Sequence, residues 1–409
     1  MKVLASVRGG VSAIFAACLV AAVFCVPALG QSVGGDIGGG IFRPKNPETK
    51  KATNKPVKPI TKPTKGPVKK PDTTLDDRID ALLDKGNDAR DAKKYPEAQE
   101  AYEGVLKLRA RDSRGAYGLG NVYTDQRRWE DAEKPYRDAV EWAPKDVDAL
   151  VALSVVLVQP VAGANNAKRF ADAQTFAQRA VQLDPKNAVA WDRLGVAIQS
   201  RGLFNADTEH AYRQAVELDP QFAVAYAHLG RVLRRMNRPD EATPLYDRAI
   251  ALAKDPGTLI LIGDSLQAEQ QWAQSEPVLR HALEMDARNT SALYLLGRAL
   301  IVLKRAQEAE PFLKSAIELS PQSFQSYALL GQGYLALGRF DDAERTYSSA
   351  VDVASSDERK QLAGEFGFEG VGDGYAKAKR KSDAARAYQH ALDLDPGNQQ
   401  LQKKLSKVR

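Results

Sequence analysis

The sequence predicts an all-α solenoid of about nine stacked helix-turn-helix units, and three observations lead there. The chain has 409 residues, more than the roughly 250–300 at which a single hydrophobic core stops growing, so it must be multi-domain or a repeat array. Charged residues make up 27% and aromatic residues only 7%, a balance that favours helices over sheet. Above all, one pattern of small, apolar and aromatic residues returns at a period of about 34 residues from Ile79 onward.

Residues 1–30 read as a secretory signal peptide. Lys2 and Arg8 precede an apolar run from Val11 to Val26, and Ala28 and Gly30 before Gln31 suit a signal peptidase. The alternatives are an uncleaved anchor over Val11–Leu29 and a lipoprotein built on Cys18. All three place the body outside the cytoplasm, periplasmic or extracellular. The only two cysteines, Cys18 and Cys25, lie in this stretch. The remainder therefore has no thiol for a disulfide, a zinc site or a nucleophile.

Residues 31–74 read as a disordered linker, Gly-rich to residue 40. Beyond it come Pro44, Pro47, Pro56, Pro59, Pro63, Pro67 and Pro71 among many lysines. Proline removes backbone donors, like charges repel and little is apolar, so an extended, partly polyproline-II spacer is expected. Residues 31–71 carry +8, and Lys2 and Arg8 add two more. In a chain of net charge +6 the body is therefore left at −4. The arm suits a solubilising tether or, through residues 43–70, electrostatic contact with an anionic envelope polymer or lipid. No aromatic residue is interleaved to stack on bases, so nucleic acid is not an expected partner.

The repeats occupy 79–398, in units 79–112, 113–146, 147–187, 188–222, 223–255, 256–289, 290–323, 324–357 and 365–398. The second is the clearest, with Leu119-Gly120, Tyr123, Ala132, Tyr136, Ala139 and Pro144. The third is interrupted, and Gln159–Arg169 reads as an enlarged turn. The glycine at position eight and the alanine at position twenty let paired helices approach, and the aromatic near position twenty-four fills space between units. Asp184-Pro185, Asp219-Pro220 and Asp395-Pro396 stop second helices, because proline disfavours a helical residue before it. No unit can bury its apolar face alone, so each needs a stacked neighbour. Residues 399–409 put Leu401, Leu405 and Val408 on one face, as a capping helix would.

Nothing in this pattern carries chemistry. His210, His228, His281 and His390 are scattered, and no His-Glu-x-x-His or phosphate loop occurs. The glycines at 367, 370, 372 and 374 fall in the first helix of the ninth unit and read as a loosely wound segment. Acidic pairs such as Glu130-Asp131 open second helices, where acids favour the positive helix end. No catalytic residue, metal ligand or cofactor is expected, and the chain reads as no enzyme.

The spacing resembles that of the tetratricopeptide-repeat (TPR) family over residues 79–398. The resemblance implies a right-handed superhelix whose concave face, lined by first helices at positions two, five, six, nine and twelve, docks a protein or peptide partner. Those positions nominate Asn87 and Asn121, the valines 151, 155 and 158 beside Asp148, then Arg193, His228, Arg231 and Arg234 with Arg235 adjacent, and Tyr294 and Arg298. The carboxylate clamp of chaperone-tail-binding relatives is absent, since Leu83, Gly118, Asp148 and Ala152 stand where its residues should be. An asparagine ladder at position six is absent too. What remains is a basic mid-groove suited to an acidic extended segment, against the alternative of solvated arginines paired with neighbouring acids.

Overall fold

The computed structural model describes residues 43–49 and 74–409. The leader and most of the arm lie outside the described residues. Helices α1 (Leu75–Asp91) and α2 (Tyr95–Leu108) form the first antiparallel pair, and α3 (Ser113–Asp125) and α4 (Trp129–Trp142) the second. There follow α5 (Val147–Leu157) with α6 (Asn166–Leu183), α7 (Ala188–Ser200) with α8 (Ala206–Leu218), and α9 (Ala223–Arg235) with α10 (Pro239–Leu252). Then come α11 (Pro256–Ala268) with α12 (Trp272–Met285), α13 (Thr290–Val302) with α14 (Ala306–Leu319), and α15 (Phe324–Ala336) with α16 (Phe340–Val353). A short α17 (Ser356–Gln361) precedes α18 (Phe368–Lys377) with α19 (Lys381–Leu394), and α20 (Gln399–Val408) ends the chain.

The two helices of a pair start differently. First helices open on a side-chain cap, except α9 after Phe222 and α18 after Gly367. Thr74 forms a capping box with Asp77, and Asp112, Asp146, Asn187, Asp255, Asn289 and Ser323 accept from first-turn amides. Many second helices instead follow a left-handed residue and open on arginine. Lys304 (φ 62°) precedes Arg305, and Lys379 (φ 63°) precedes Arg380. Arg305 binds Glu308 of its own helix and Glu276 of the preceding pair, both at 2.6 Å. Arg238, Arg339 and Arg380 repeat this bridge with Glu241 and Glu209, with Asp342 and Glu310, and with Asp383 and Asp341. Exposed pairs of this kind contribute about 0–1 kcal/mol each, but they tie each pair to the one before it.

Packing follows the glycine–aromatic spacing. A Cβ on Gly195 would lie 2.6 Å from the Tyr212 ring, and one on Gly120 would lie 2.5 Å from the Tyr136 ring. Any side chain there would have to push the second helix away. Tyr102 fills the equivalent space against Gly86 at 2.6 Å and Gly118 at 2.5 Å, so one ring seals its own pair and the next. Ala98, Ala132, Ala173 and Ala242 are wholly buried at the crossings.

Three expectations are corrected. The insertion at Gln159–Arg169 is only partly a turn. Helix α6 begins at Asn166, capped by Asn165, and Arg169 is buried in it, donating to the carbonyls of Val156 and Gln159 while pairing with Glu133. The sequence Ala-Lys-Arg-Phe-Ala after the cap is a good helix former and continues the helix backward. In the ninth unit the first helix starts only at Phe368, after Gly364 and Gly367. The third correction concerns the arm. Residues 43–49 were expected to be a free spacer, yet they lie against α1 and α3 with Pro44 and Pro47 buried. At the other end Leu401 and Leu405 of α20 join the core, and Lys404 reaches Glu369 and Asp373.

Candidate functional site

The face on which residues 43–49 rest is built by position nine of two consecutive first helices. Asn87 Nδ2 donates to the carbonyl of Pro47 (3.1 Å), and Asn121 Nδ2 donates to that of Lys45 (2.7 Å). The two asparagines are one repeat apart and the two carbonyls are two residues apart. The repeat thus converts its own stacking distance into a register on the bound chain. Each amide is oriented from below. Tyr102 OH donates to Asn87 Oδ1 (2.7 Å), and Tyr136 OH donates to Asn121 Oδ1 (2.8 Å). With its oxygen so occupied, each asparagine turns its NH2 outward. Burial pushes both tyrosines well above the usual phenol range, which keeps them protonated as donors.

Arg90 supplies a third reader. Its Nε and Nη2 are held by the Asp125 carboxylate at 2.9 and 2.8 Å, a bidentate fork. Its Nη1 is thereby aimed at the Pro44 carbonyl (2.9 Å) and Asn46 Oδ1 (2.8 Å). Around this main-chain contact sits a ring of acids. Asp91 binds Arg43 at 2.7 Å and Asn46 at 3.0 Å, Asp125 lies 3.5 Å from Arg43, and Asp148 lies 3.6 Å from Lys45. Arg43 is held above the usual guanidinium value by Asp91 and Asp125, which outweigh the opposing effect of burial. The segment meets α1 at both ends, through Arg43 on Asp91 and Pro47 on Asn87, and reaches α3 and α5 at Lys45 between them.

The mid-groove residues are placed otherwise. Asp192, His228 and Arg193 form a cluster that solvent barely reaches. His228 Nδ1 is 2.7 Å from Asp192 Oδ1, and Arg193 Nη2 is 3.1 Å from Asp192 Oδ2. Burial opposes ionisation of Asp192, but the charges of His228 and Arg193 outweigh it and hold the carboxyl below the usual range. Arg234 is buried against Glu269 at 2.7 Å. Arg298 donates to Gln267 (2.6 Å) and Asp264 (3.1 Å) and lies 5.8 Å from the Tyr294 ring, itself buried. Arg235 stacks on Phe204 at 4.8 Å, and Arg231 is half-buried. The expectation of a cationic wall, open to an acidic segment, is therefore corrected at Arg193, His228, Arg234 and Arg298. Arg193 is met by Asp192 of its own helix, and His228, Arg234 and Arg298 by groups of an adjacent first helix or its end, partly or wholly out of water. The valines 151, 155 and 158 are buried and offer no apolar patch.

Two family models match the chain. One, for the cilia and flagella-associated protein 70 C-terminal domain, a TPR model, covers residues 68–326. The other, tetratricopeptide repeat, covers 303–362. The chain belongs to the tetratricopeptide-repeat family. Among solved structures, MamA is 23% identical over 43% of this chain and 91% of its own, with a TM-score of 0.37. MamA from Desulfovibrio magneticus RS-1, residue 41 to the end, is 18% identical over 44% and 97% at 0.38. YrrB, a TPR protein with an unusual peptide-binding site, is 20% identical over 50% and 100% at 0.39. No curated protein matches.

In this TPR array the tyrosine-to-position-nine contact recurs at the far end. Tyr388 OH donates to Asp373 Oδ1 at 2.7 Å, and Asp373 takes Lys404 of α20. Among the described residues no group of three or more His, Cys, Asp or Glu could hold a metal ion, and no helix is long and apolar enough to cross a membrane. Of the nominated positions, the structure brings together Asn87 and Asn121 on one occupied surface. Arg90, Asp91 and Asp125 were missed. Arg90 sits at position twelve of its unit, so the position rule could have found it. The two aspartates, at position thirteen, gave no such signal.

Proposed function

We propose that the protein is an exported scaffold whose N-terminal groove docks an extended segment of a partner polypeptide. In this reading the nine helix pairs are nine TPR units, α20 caps the last, and residues 1–30 direct export to the periplasm or beyond. The observation that carries it is the asparagine pair reading alternate carbonyls of a non-helical chain, each amide pre-set by a buried tyrosine. Such contacts recognise main chain and leave side-chain choice to the rim. Preset amides also lose less freedom on binding than mobile ones.

The rival reading makes the lysine-rich arm a contact to anionic surface polymer, with the repeats as spacer. Arg43 and Lys45 of that arm are engaged by carboxylates of the body, which favours the groove. A peptide-display selection on the full chain tests this. Recovered binders should lose binding to the Asn87→Ala/Asn121→Ala variant, and binders indifferent to it would move the site elsewhere. Export is tested by fusing residues 1–30 to a reporter active only outside the cytoplasm. A silent fusion removes that part of the proposal.

A further inference from the structure

The occupant of the groove carries information beyond the fact of occupancy. It is Arg43-Pro44-Lys45-Asn46-Pro47, and every part of it is met by something specific. Carbonyls of residues 44, 45 and 47 accept from Arg90, Asn121 and Asn87. Among the described residues all three main-chain contacts on the segment are carbonyl acceptances. A chain read through its carbonyls alone loses nothing by having proline at 44 and 47. Proline has no N–H to leave unsatisfied, and its fixed φ lowers the entropy lost on docking. Among the described residues the two cations pair with acids: Asp91 and Asp125 at Arg43, and Asp148 at Lys45. Charge and backbone chemistry therefore select the same kind of ligand.

The arm contains the same spacing again. Lys55-Pro56-Val57-Lys58-Pro59 repeats the order cation, proline, two residues, proline. We propose that the N-terminal groove is a receptor for basic segments of the form Arg/Lys-Pro-x-x-Pro on another polypeptide. Residues 43–47 are the chain's own copy, which competes for the site. This rests on the groove reading above and names its ligand class, opposite in sign to the acidic partner the sequence suggested. Covalent attachment gives the internal copy an effective concentration on the order of millimolar. A partner must exceed that to enter, so the groove answers only to tighter or multiply presented ligands.

The test uses the full chain and a fluorescent synthetic peptide with the sequence of residues 43–49. Arg43→Glu/Lys45→Glu combined with Lys55→Glu/Lys58→Glu in the protein removes the cations of both arm copies without touching the groove, and the Arg43 and Lys45 side chains are more than half exposed, so the fold should persist. The probe is expected to bind this variant at least about tenfold more tightly than the parent, where it must compete. A second probe spanning residues 54–60 should bind the variant as well. Equal affinity for parent and variant overturns the competition. Equal binding of a probe itself carrying Arg43→Glu and Lys45→Glu overturns the basic ligand class while leaving the groove intact. If no probe binds a variant that circular dichroism shows to be helical, the groove reading falls with it. Trypsin gives an independent readout, since Lys45–Asn46 should be cut several-fold faster in Asn87→Ala/Asn121→Ala than in the parent. An unchanged rate would overturn the seating of the segment.

Discussion

The N-terminal first helices α1 and α3 and the middle first helices α7 and α9 use groove-facing positions to opposite ends. In the first region position nine carries asparagine, and each asparagine is tied on one side to a buried tyrosine and open on the other. In the second, position six carries Arg193 and His228, and both are closed against Asp192 from position five of α7. The difference is not one of residue polarity. A charge on a first helix is available to a partner only if neither its own helix nor the adjacent first helix answers it. A neutral amide with its oxygen already bonded is available by construction. Availability is set by the neighbours, the adjacent residue for Arg193 and the helix one repeat away for His228.

The sharpest way to break the comparison is to remove the neighbour in the middle region. Asp192→Asn leaves Arg193 and His228 buried without their shared anion, and breaking such a buried pair costs about 3–5 kcal/mol. Urea or guanidinium denaturation reads the loss. The pH dependence has a definite sign. Because the folded carboxyl lies below its ordinary value, its contribution is present above the ordinary carboxylate range and is lost as pH falls through and below it. The variant should therefore show a shallower acid limb than the parent. Asp148→Asn, at an exposed pair with Lys45, should leave stability unchanged within about 0.5 kcal/mol.

Next in size is the asparagine pair. Each amide–carbonyl bond is worth about 0.5–1.5 kcal/mol net, so Asn87→Ala/Asn121→Ala should weaken seating of residues 43–49 by about tenfold or more, with little change in global stability. The rate of tryptic cleavage at Lys45–Asn46 measures it. Tyr136→Phe probes the layer beneath. It keeps the ring against Gly120 and removes the donor to Asn121, so a cost of about 1 kcal/mol is expected, together with partial loss of seating. The matched control is Tyr347→Phe. That hydroxyl is buried with no hydrogen-bond partner among the described residues, so its removal should be neutral or slightly stabilising. Equal costs at the two tyrosines would refute the idea that the phenol presets the amide.

The helix pairs were legible because their signals are local: glycine, alanine and tyrosine at fixed spacing, with Asx or Ser before first helices and Asp-Pro after many second ones. Asn87 and Asn121 were legible because position nine points the same way in every unit. The fate of Arg193 was not, because it depends on Asp192 beside it and on His228 a repeat later, and no single-unit template couples those positions. The arm was misread at residues 43–49 for a related reason. Its composition cannot bury apolar area, which is the usual criterion for order. The segment is held by polar readers on the body, whose existence its own sequence does not announce.

A local effect extends the comparison to the C-terminal end. There Tyr388 sets an acceptor at position nine, but the residue is Asp373, and what it meets is Lys404 of α20. The same device that reads carbonyls at one end grips a cation of the terminal helix at the other. Lys404 is raised above the usual lysine value; burial pulls the other way, but Asp373 and Glu369 outweigh it. Its contribution is therefore full below that value and fades as pH rises past it. The group is partly exposed, so Lys404→Ala should cost no more than about 1 kcal/mol, seen as faster amide exchange in Gln399–Val408 ahead of the rest of the array. Loosening confined to α20 would mean that position nine serves whatever segment reaches it. A loss spread through α18 and α19 would mean instead that Asp373 is structural, and that the N-terminal asparagines are the exception.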